Sequence, residues 1–302
     1  MDVHAGDGTS RNVSDAVGAG FAGAEDGAPD EPAQLRATAE QVVREAADHL
    51  RGLPRPWEVE PGDGVDTKST PTDVVTASDH SVEQLVRSRL AELRPGDDVV
   101  GEEHGGQARS GISWVVDPID GTVNFLYGLP WYAISLAAVR DGRSIAGAVI
   151  EPESGRLWSA ALGGGATCDG RPLRVSRQTD VRLSLLGTGF SYSPQRRLRQ
   201  AAMVAGLLGD VRDIRRAGSA ALDLCAVAAG WIDGYLEHGC NWWDWAAASL
   251  IAAEAGAVVR TPAAPGRTPP DDGLGADALF AAAPGVADEL ADLLRRHGAA
   301  EV

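Results

Sequence analysis

Residues 114–125 read "WVVDPIDGTVNF". Trp114, Val115 and Val116 make an apolar run of β type that ends in two aspartates, Asp117 and Asp120, with Gly121 and Thr122 directly after. A turn needs only one such carboxylate, and Asp, Pro and Gly together would satisfy a type I turn. Two carboxylates at the end of a buried strand are costly to desolvate without compensation. The stretch therefore asks for partners from elsewhere in the chain.

Three other acidic sites stand at element ends: Asp79 in "STPTDVVTASD", Glu102–Glu103 in "VVGEEHG", and Asp244 in "NWWDWAAASL". Singly, each has an ordinary explanation: Asp79 and Asp244 could cap helices, and "GEEHG" could be a solvated loop. Together they fall at strand ends and helix starts, where distant segments converge in α/β folds. The compensation this predicts is Mg²⁺, a hard cation that takes a few carboxylates, water and substrate phosphate. Zinc is disfavoured, because the six histidines and three cysteines show no HxxH or CxxC spacing. Within "DPIDG", Asp117 and Asp120 can reach two neighbouring ions, and the Ile119 carbonyl can add an oxygen. Two such ions would clamp the attacking and leaving oxygens of a phosphoryl transfer. A short helix starting at Gly121 would turn the amides of Gly121, Thr122 and Val123 toward a phosphate, with Gly121 allowing close approach.

The rest of the chain sets the frame. Its 302 residues allow one large domain or two modest ones. A formal charge of −16 argues against nucleic acid and anionic membranes as partners. Cys168, Cys225 and Cys240 suggest no disulfide framework, no signal peptide is visible, and no apolar stretch reaches membrane-span length, so a soluble cytoplasmic protein is expected. Residues 1–33 are acidic, with Arg11 their one basic residue, and are expected to be a disordered tail.

A helix is predicted from about 34, a loop or irregular hairpin after it, and a second helix capped by Ser78 or Asp79. Short strands follow, two of them around the Asp141–Gly142 turn. Strand and helix alternate from about 181. The expected organisation is an N-terminal α+β half, 34–180, with most metal ligands, and an α/β half, 181–302, with Asp244 and the substrate contacts.

"GEE", "WVVDPIDGTVNF", "NWWDWAAASLIAAEAG", "KSTPTDVVTASD" and "GSAALDLCAVAAGWIDGYLEHG" resemble, in order and spacing, the signature segments of the inositol monophosphatase family, with an actinobacterial inositol-1-monophosphatase flavour. The resemblance runs from about 35 to about 296. It implies a layered αβαβα sandwich with two or three Mg²⁺ ions on Glu102, Asp117, the Ile119 carbonyl, Asp120 and Asp244. It also implies a supporting acid at Glu103 and an Asp79–Thr122 pair beside the nucleophilic water. Catalysis would be in-line attack on phosphorus without a phospho-enzyme. Gly218, Ser219, Ala220, Glu237 and Asp244 match positions that contact the alcohol, and Lys68 matches a loop lysine. Val123 replaces a common Thr or Ser, and Asn241 and Trp242 stand before Trp243–Asp244 where other members vary, so that a large Trp could narrow the pocket. A homodimer and lithium sensitivity are further family expectations.

The activity implied is hydrolysis of inositol 1-phosphate. The alternatives are the same chemistry on histidinol phosphate, fructose 1,6-bisphosphate or 3′-phosphoadenosine phosphates, or a non-catalytic role in binding the transcription machinery.

Overall fold

The computed structural model describes residues 31–56, 65–68, 74–109 and 111–302. Most of the expected tail lies outside these residues. Its last three positions belong instead to the first helix, α1 (Glu31–Gly52), where Leu35, Ala39, Val42, Val43, Ala46 and Leu50 form one buried stripe. The predicted loop or hairpin keeps a short antiparallel pair, β1 (Val65–Thr67) with β2 (Val74–Thr76). Helix α2 (Ala77–Leu93) follows. Its N-cap is Thr76, not Ser78 or Asp79, and Asp79 occupies the third helical position and bonds back to the Thr76 amide. The reciprocal pair is a capping box, which satisfies two amide donors at once.

Seven strands make the first sheet: β3 (Asp98–Gly101), β4 (Ile112–Asp120), β5 (Ala133–Arg140), β6 (Arg143–Ile150), β7 (Leu157–Ala161), β8 (Gly165–Cys168) and β9 (Arg171–Pro172). They lie in chain order, with β3 parallel to β4 and every later pair antiparallel. Asp141 and Gly142 both take positive φ, which a two-residue hairpin turn requires. Between β4 and β5 lies helix α3 (Thr122–Leu126).

A second, five-stranded sheet has β10 (Leu185–Thr188), β11 (Asp213–Arg215), β12 (Gly234–His238), β13 (Val258–Arg260) and β14 (Ala278–Ala282) in the order β11-β10-β12-β14-β13. Its helices are α4 (Pro194–Leu207), α5 (Ala220–Ala228), α6 (Trp242–Glu254) and α7 (Ala287–Arg296).

Three separate cores show how these pieces stack. Side chains alternate along β4, so Trp114 and Val116 pack with α1 and α2, while Val115 faces α5 and α6. The other side of α5 and α6 meets Tyr235, Leu279 and Ala281 of the second sheet. Leu236, Phe280 and Ala282 on its far face pack with α4 and α7. Helices, sheet, helices, sheet, helices: this is the expected αβαβα sandwich.

The middle layer sits unusually close to the first sheet. A Cβ at Gly147 on β6 would stand 2.9 Å from the Ala247 Cα of α6. Gly147→Val should push α6 outward and cost about 1–3 kcal/mol of stability, the usual range for overpacking. Because Asp244 rides on α6, catalysis should fall with it. Urea unfolding and an activity assay on the same preparation would check both, and unchanged stability would show that α6 has room to move.

Candidate active site

The first question is how Asp117 and Asp120 can serve one site. Residues three apart on a regular strand point to opposite faces. Asp117 pairs with Ser135 but Asp120 with Ala133, so three steps on β4 oppose two on β5. The extra residue is a β-bulge. It sends Ile119 into the core beneath α1 and α2 and returns Asp120 to the face that carries Asp117. Both carboxylates then open into a cleft of about 420 Å³.

Each acid is held by neutral donors. Asp117 accepts the Ile119 amide at 3.0 Å. Asp120 accepts the Ser219 hydroxyl at 2.5 Å and the Ala221 and Ala220 amides at 2.7 and 3.3 Å, the free donors at the start of α5. Asp244 accepts the Asn241 amide at 2.6 Å, a second capping arrangement. Asp79 takes the Thr76 amide at 2.8 Å and the Thr76 hydroxyl at 2.5 Å on Oδ2, and the Thr122 hydroxyl at 3.3 Å on Oδ1. Thr122 also donates to the Ile119 carbonyl at 3.0 Å.

These donors do not neutralise the cluster. Burial pushes Asp79 and Asp120 up to about 7, despite hydrogen bonds that favour the charged forms. Burial, then the charges of Glu102, Asp120 and Asp244, hold Asp117 well above the usual aspartate range. Asp244 is raised by burial and by Glu102 and Asp120. Glu102 is raised by burial, against the pull of the Lys68 ammonium. The one ammonium here, Lys68, lies 2.7 Å from Glu102 Oε1 and 2.6 Å from Glu103 Oε1.

Several carboxylates sharing one buried space and a strand-end carbonyl suit a hard divalent cation. Among the described residues, no three His, Cys, Asp or Glu side chains are drawn close enough to enclose one ion as they stand.

Gly121 caps α3 with φ 95°, and a Cβ there would meet the Gly218 carbonyl at 3.0 Å, so only glycine fits. The structure brings Glu102, Asp117, Ile119, Asp120 and Gly121 to the cleft together with Thr122, Gly218, Ala220, Glu237 and Asp244. Ser219 sits beneath it, bonded to Asp120, and Asp79 meets it through Thr122. Val123, the third amide of the predicted phosphate turn, lies one step further along α3 and does not line the cleft. Trp243 lines the cleft, whereas Trp242 is buried in the middle core and narrows nothing.

Sequence reasoning missed several supports. Glu83 is fully buried and accepts the Glu103 and His104 amides at 2.7 and 3.2 Å, fixing the loop that carries Glu102. Asn124 donates to the Trp131 and Ala217 carbonyls at 2.7 and 2.9 Å, tying α3 to the segment that leads into Gly218. Arg216 also lines the cleft, where its charge favours the ionised form of Glu237. A Glu seven residues into an amphipathic helix gives no sign of its burial, but an Asn inside "GTVNF" could have been suspected as a tie.

The profile of the inositol monophosphatase family matches residues 31–298. The chain is 51% identical over 283 residues to a protein named inositol-1-monophosphatase from Mycobacterium leprae, covering 88% of this chain and 95% of that one. It is 50% identical over 288 residues to a Mycobacterium tuberculosis protein named inositol-1-monophosphatase SuhB, covering 90% and 97%. The solved structure of Mycobacterium tuberculosis SuhB superposes with a TM-score of 0.75 at 45% identity, covering 90% of this chain and 99% of that one. With five layers, a bulged acidic strand end and this extent of similarity, the chain belongs to the inositol monophosphatase family.

Proposed function

We propose that the protein is a Mg²⁺-dependent phosphomonoesterase that hydrolyses inositol 1-phosphate to inositol and phosphate. The observation that carries this reading is the bulge that turns Asp117 and Asp120 into one cleft beside the Gly121 turn. Relatives at about half identity bear the same activity in their names.

Glu102, Asp117, the Ile119 carbonyl, Asp120 and Asp244 would hold the metal, two or three ions in all. Bound there, it supplies positive charge for the phosphate and the leaving oxygen and acidifies water. The chain's own residues do the rest. The amides of Gly121 and Thr122, with Val123 behind them, hold the phosphate oxygens. Thr122 and Asp79 orient the attacking water, and Asp79 Oδ1, 3.3 Å from the Thr122 hydroxyl, takes its proton. An Asp79 carboxyl that titrates near 7 suits a base at neutral pH. Gly218 and Ala220 flank the alcohol, and Glu237 accepts its hydroxyls.

Cytoplasmic location and a homodimer belong to the same proposal. All three cysteines are free thiols, and no helix among the described residues is long and apolar enough to cross a membrane. Lithium sensitivity is part of it too: activity should fall across a lithium titration.

A second reading keeps the chemistry and changes the alcohol. Phe190, Tyr192 and Trp243 also line the cleft, a surface on which a planar imidazole or nucleobase could stack. Phosphate release from inositol 1-phosphate, histidinol phosphate, fructose 1,6-bisphosphate and 3′-phosphoadenosine 5′-phosphate separates the two. Inositol 1-phosphate should be turned over fastest, only with Mg²⁺, and Asp120→Asn should lose on the order of a hundredfold or more. Preference for a planar alcohol would replace the substrate and keep the metal site.

The buried carboxylates also predict a pH signature. Asp120 rises from its usual 3.8 to about 7 on folding. Its contribution is present below the unfolded value and is lost as pH climbs through the folded one. In chelator, the melting temperature of Asp120→Asn should therefore pull ahead of wild type as pH climbs from about 4 to about 7. Added Mg²⁺ should close that gap at the upper end, since it stabilises the wild type by binding. A gap that ignores pH would show that Asp120 carries no burial penalty.

A further inference from the structure

Along β12, side chains alternate, so Tyr235 and Glu237 share the face turned toward the middle helices while Leu236 faces the outer core. Tyr235 is fully buried, and its hydroxyl donates to Glu237 Oε2 at 2.5 Å. Neighbouring β10 runs parallel, with Gly187 beside Tyr235 and Thr188 beside Leu236, and the chain continues into Gly189 beside Glu237. A Cβ at Gly187 would stand 3.1 Å from the Tyr235 ring and 2.9 Å from Ile232 Cδ1. A Cβ at Gly189 would fall inside the Glu237 carboxylate. The Gly-Thr-Gly of one strand is thus the negative of the Tyr-Leu-Glu of the next: one glycine makes room for the ring, the other for the carboxylate.

We infer that Tyr235, seated against this glycine pair, is a positioning residue that fixes Glu237 Oε2 and leaves Oε1 as a pre-aimed acceptor, so that the cleft prefers polyhydroxylated alcohols. The inference rests on the reading of Glu237 proposed above. A carboxylate only accepts hydrogen bonds, so it rewards an alcohol rich in hydroxyls. It penalises one without them, because a desolvated oxygen is then left unpaired. Holding it in one rotamer avoids the ordering cost that a free Glu would bring to each binding event. Arg216, on the cleft wall, favours the ionised form electrostatically, as does the Tyr235 hydroxyl, against the upward push of burial.

The test compares kcat/KM for inositol 1-phosphate with kcat/KM for 4-nitrophenyl phosphate, an ester whose leaving group has no polyol hydroxyls. In Tyr235→Phe with Mg²⁺, that ratio should fall about tenfold, mainly through a higher KM for the inositol ester. Gly189→Ala, which puts a methyl where the carboxylate lies, should lower the ratio at least as far and serves if Tyr235→Phe does not fold. A ratio that stays at the wild-type value, or parallel losses on both esters, would overturn the inference and leave Tyr235 a packing residue. A wild type with no preference for the inositol ester would instead defeat the reading of Glu237, and this inference with it.

Discussion

Repulsion among carboxylates buried at one point governs this structure. Asp120 and Asp244 both raise the proton affinity of Asp117, Asp120 also raises that of Asp244, and Glu102 adds to both. Most of what surrounds them consists of dipoles: the start of α5 on Asp120, the Asn241 amide on Asp244, the Ile119 amide on Asp117. Dipoles orient a carboxylate without cancelling its charge. A set of anions fixed in direction and still uncompensated is what a site that gathers cations needs, because each ligand is aimed before the ion arrives.

The fold supplies that arrangement through two layers that would otherwise not meet. The first sheet brings Asp117 and Asp120, and α6 brings Asp244. Close packing of Gly147 on Ala247 holds α6 against the sheet, and Asn124 ties α3 to the segment before α5. The cleft is therefore a seam between layers, and its geometry depends on residues that touch no ligand.

Much of this was legible because acids at element ends are unusual in combination. The α/β alternation and the hairpin at Asp141–Gly142 follow from periodicity and turn chemistry, whereas the order of the five layers is what the family resemblance implies. Strands β8 and β9 escaped, although Asp169–Gly170 between them repeats the same positive-φ turn as Asp141–Gly142. Their runs are short and one is exposed, so no alternation stood out. The bulge was invisible for a different reason. It is a property of register between β4 and β5, and nothing in "DPIDG" alone states which residue is left unpaired. Glu83 and Tyr235 were missed because burial turns an ordinary helical glutamate and strand tyrosine into supports.

Asp79 and Asp244 show that capping and ligation need not compete. Each lies at the third position of its helix and gives Oδ2 to the amide of the cap residue. That bond fixes the side chain by one oxygen and leaves Oδ1 for another partner, which in Asp79 is Thr122. A capping aspartate is thus a carboxylate with one oxygen anchored by backbone geometry and one to spare. Glu237 has the same division, with the Tyr235 hydroxyl in place of the backbone amide. The ordinary structural role is the means by which the second oxygen is aimed, so finding a cap at such a position strengthens the case for chemistry when other aimed carboxylates face it across one cleft.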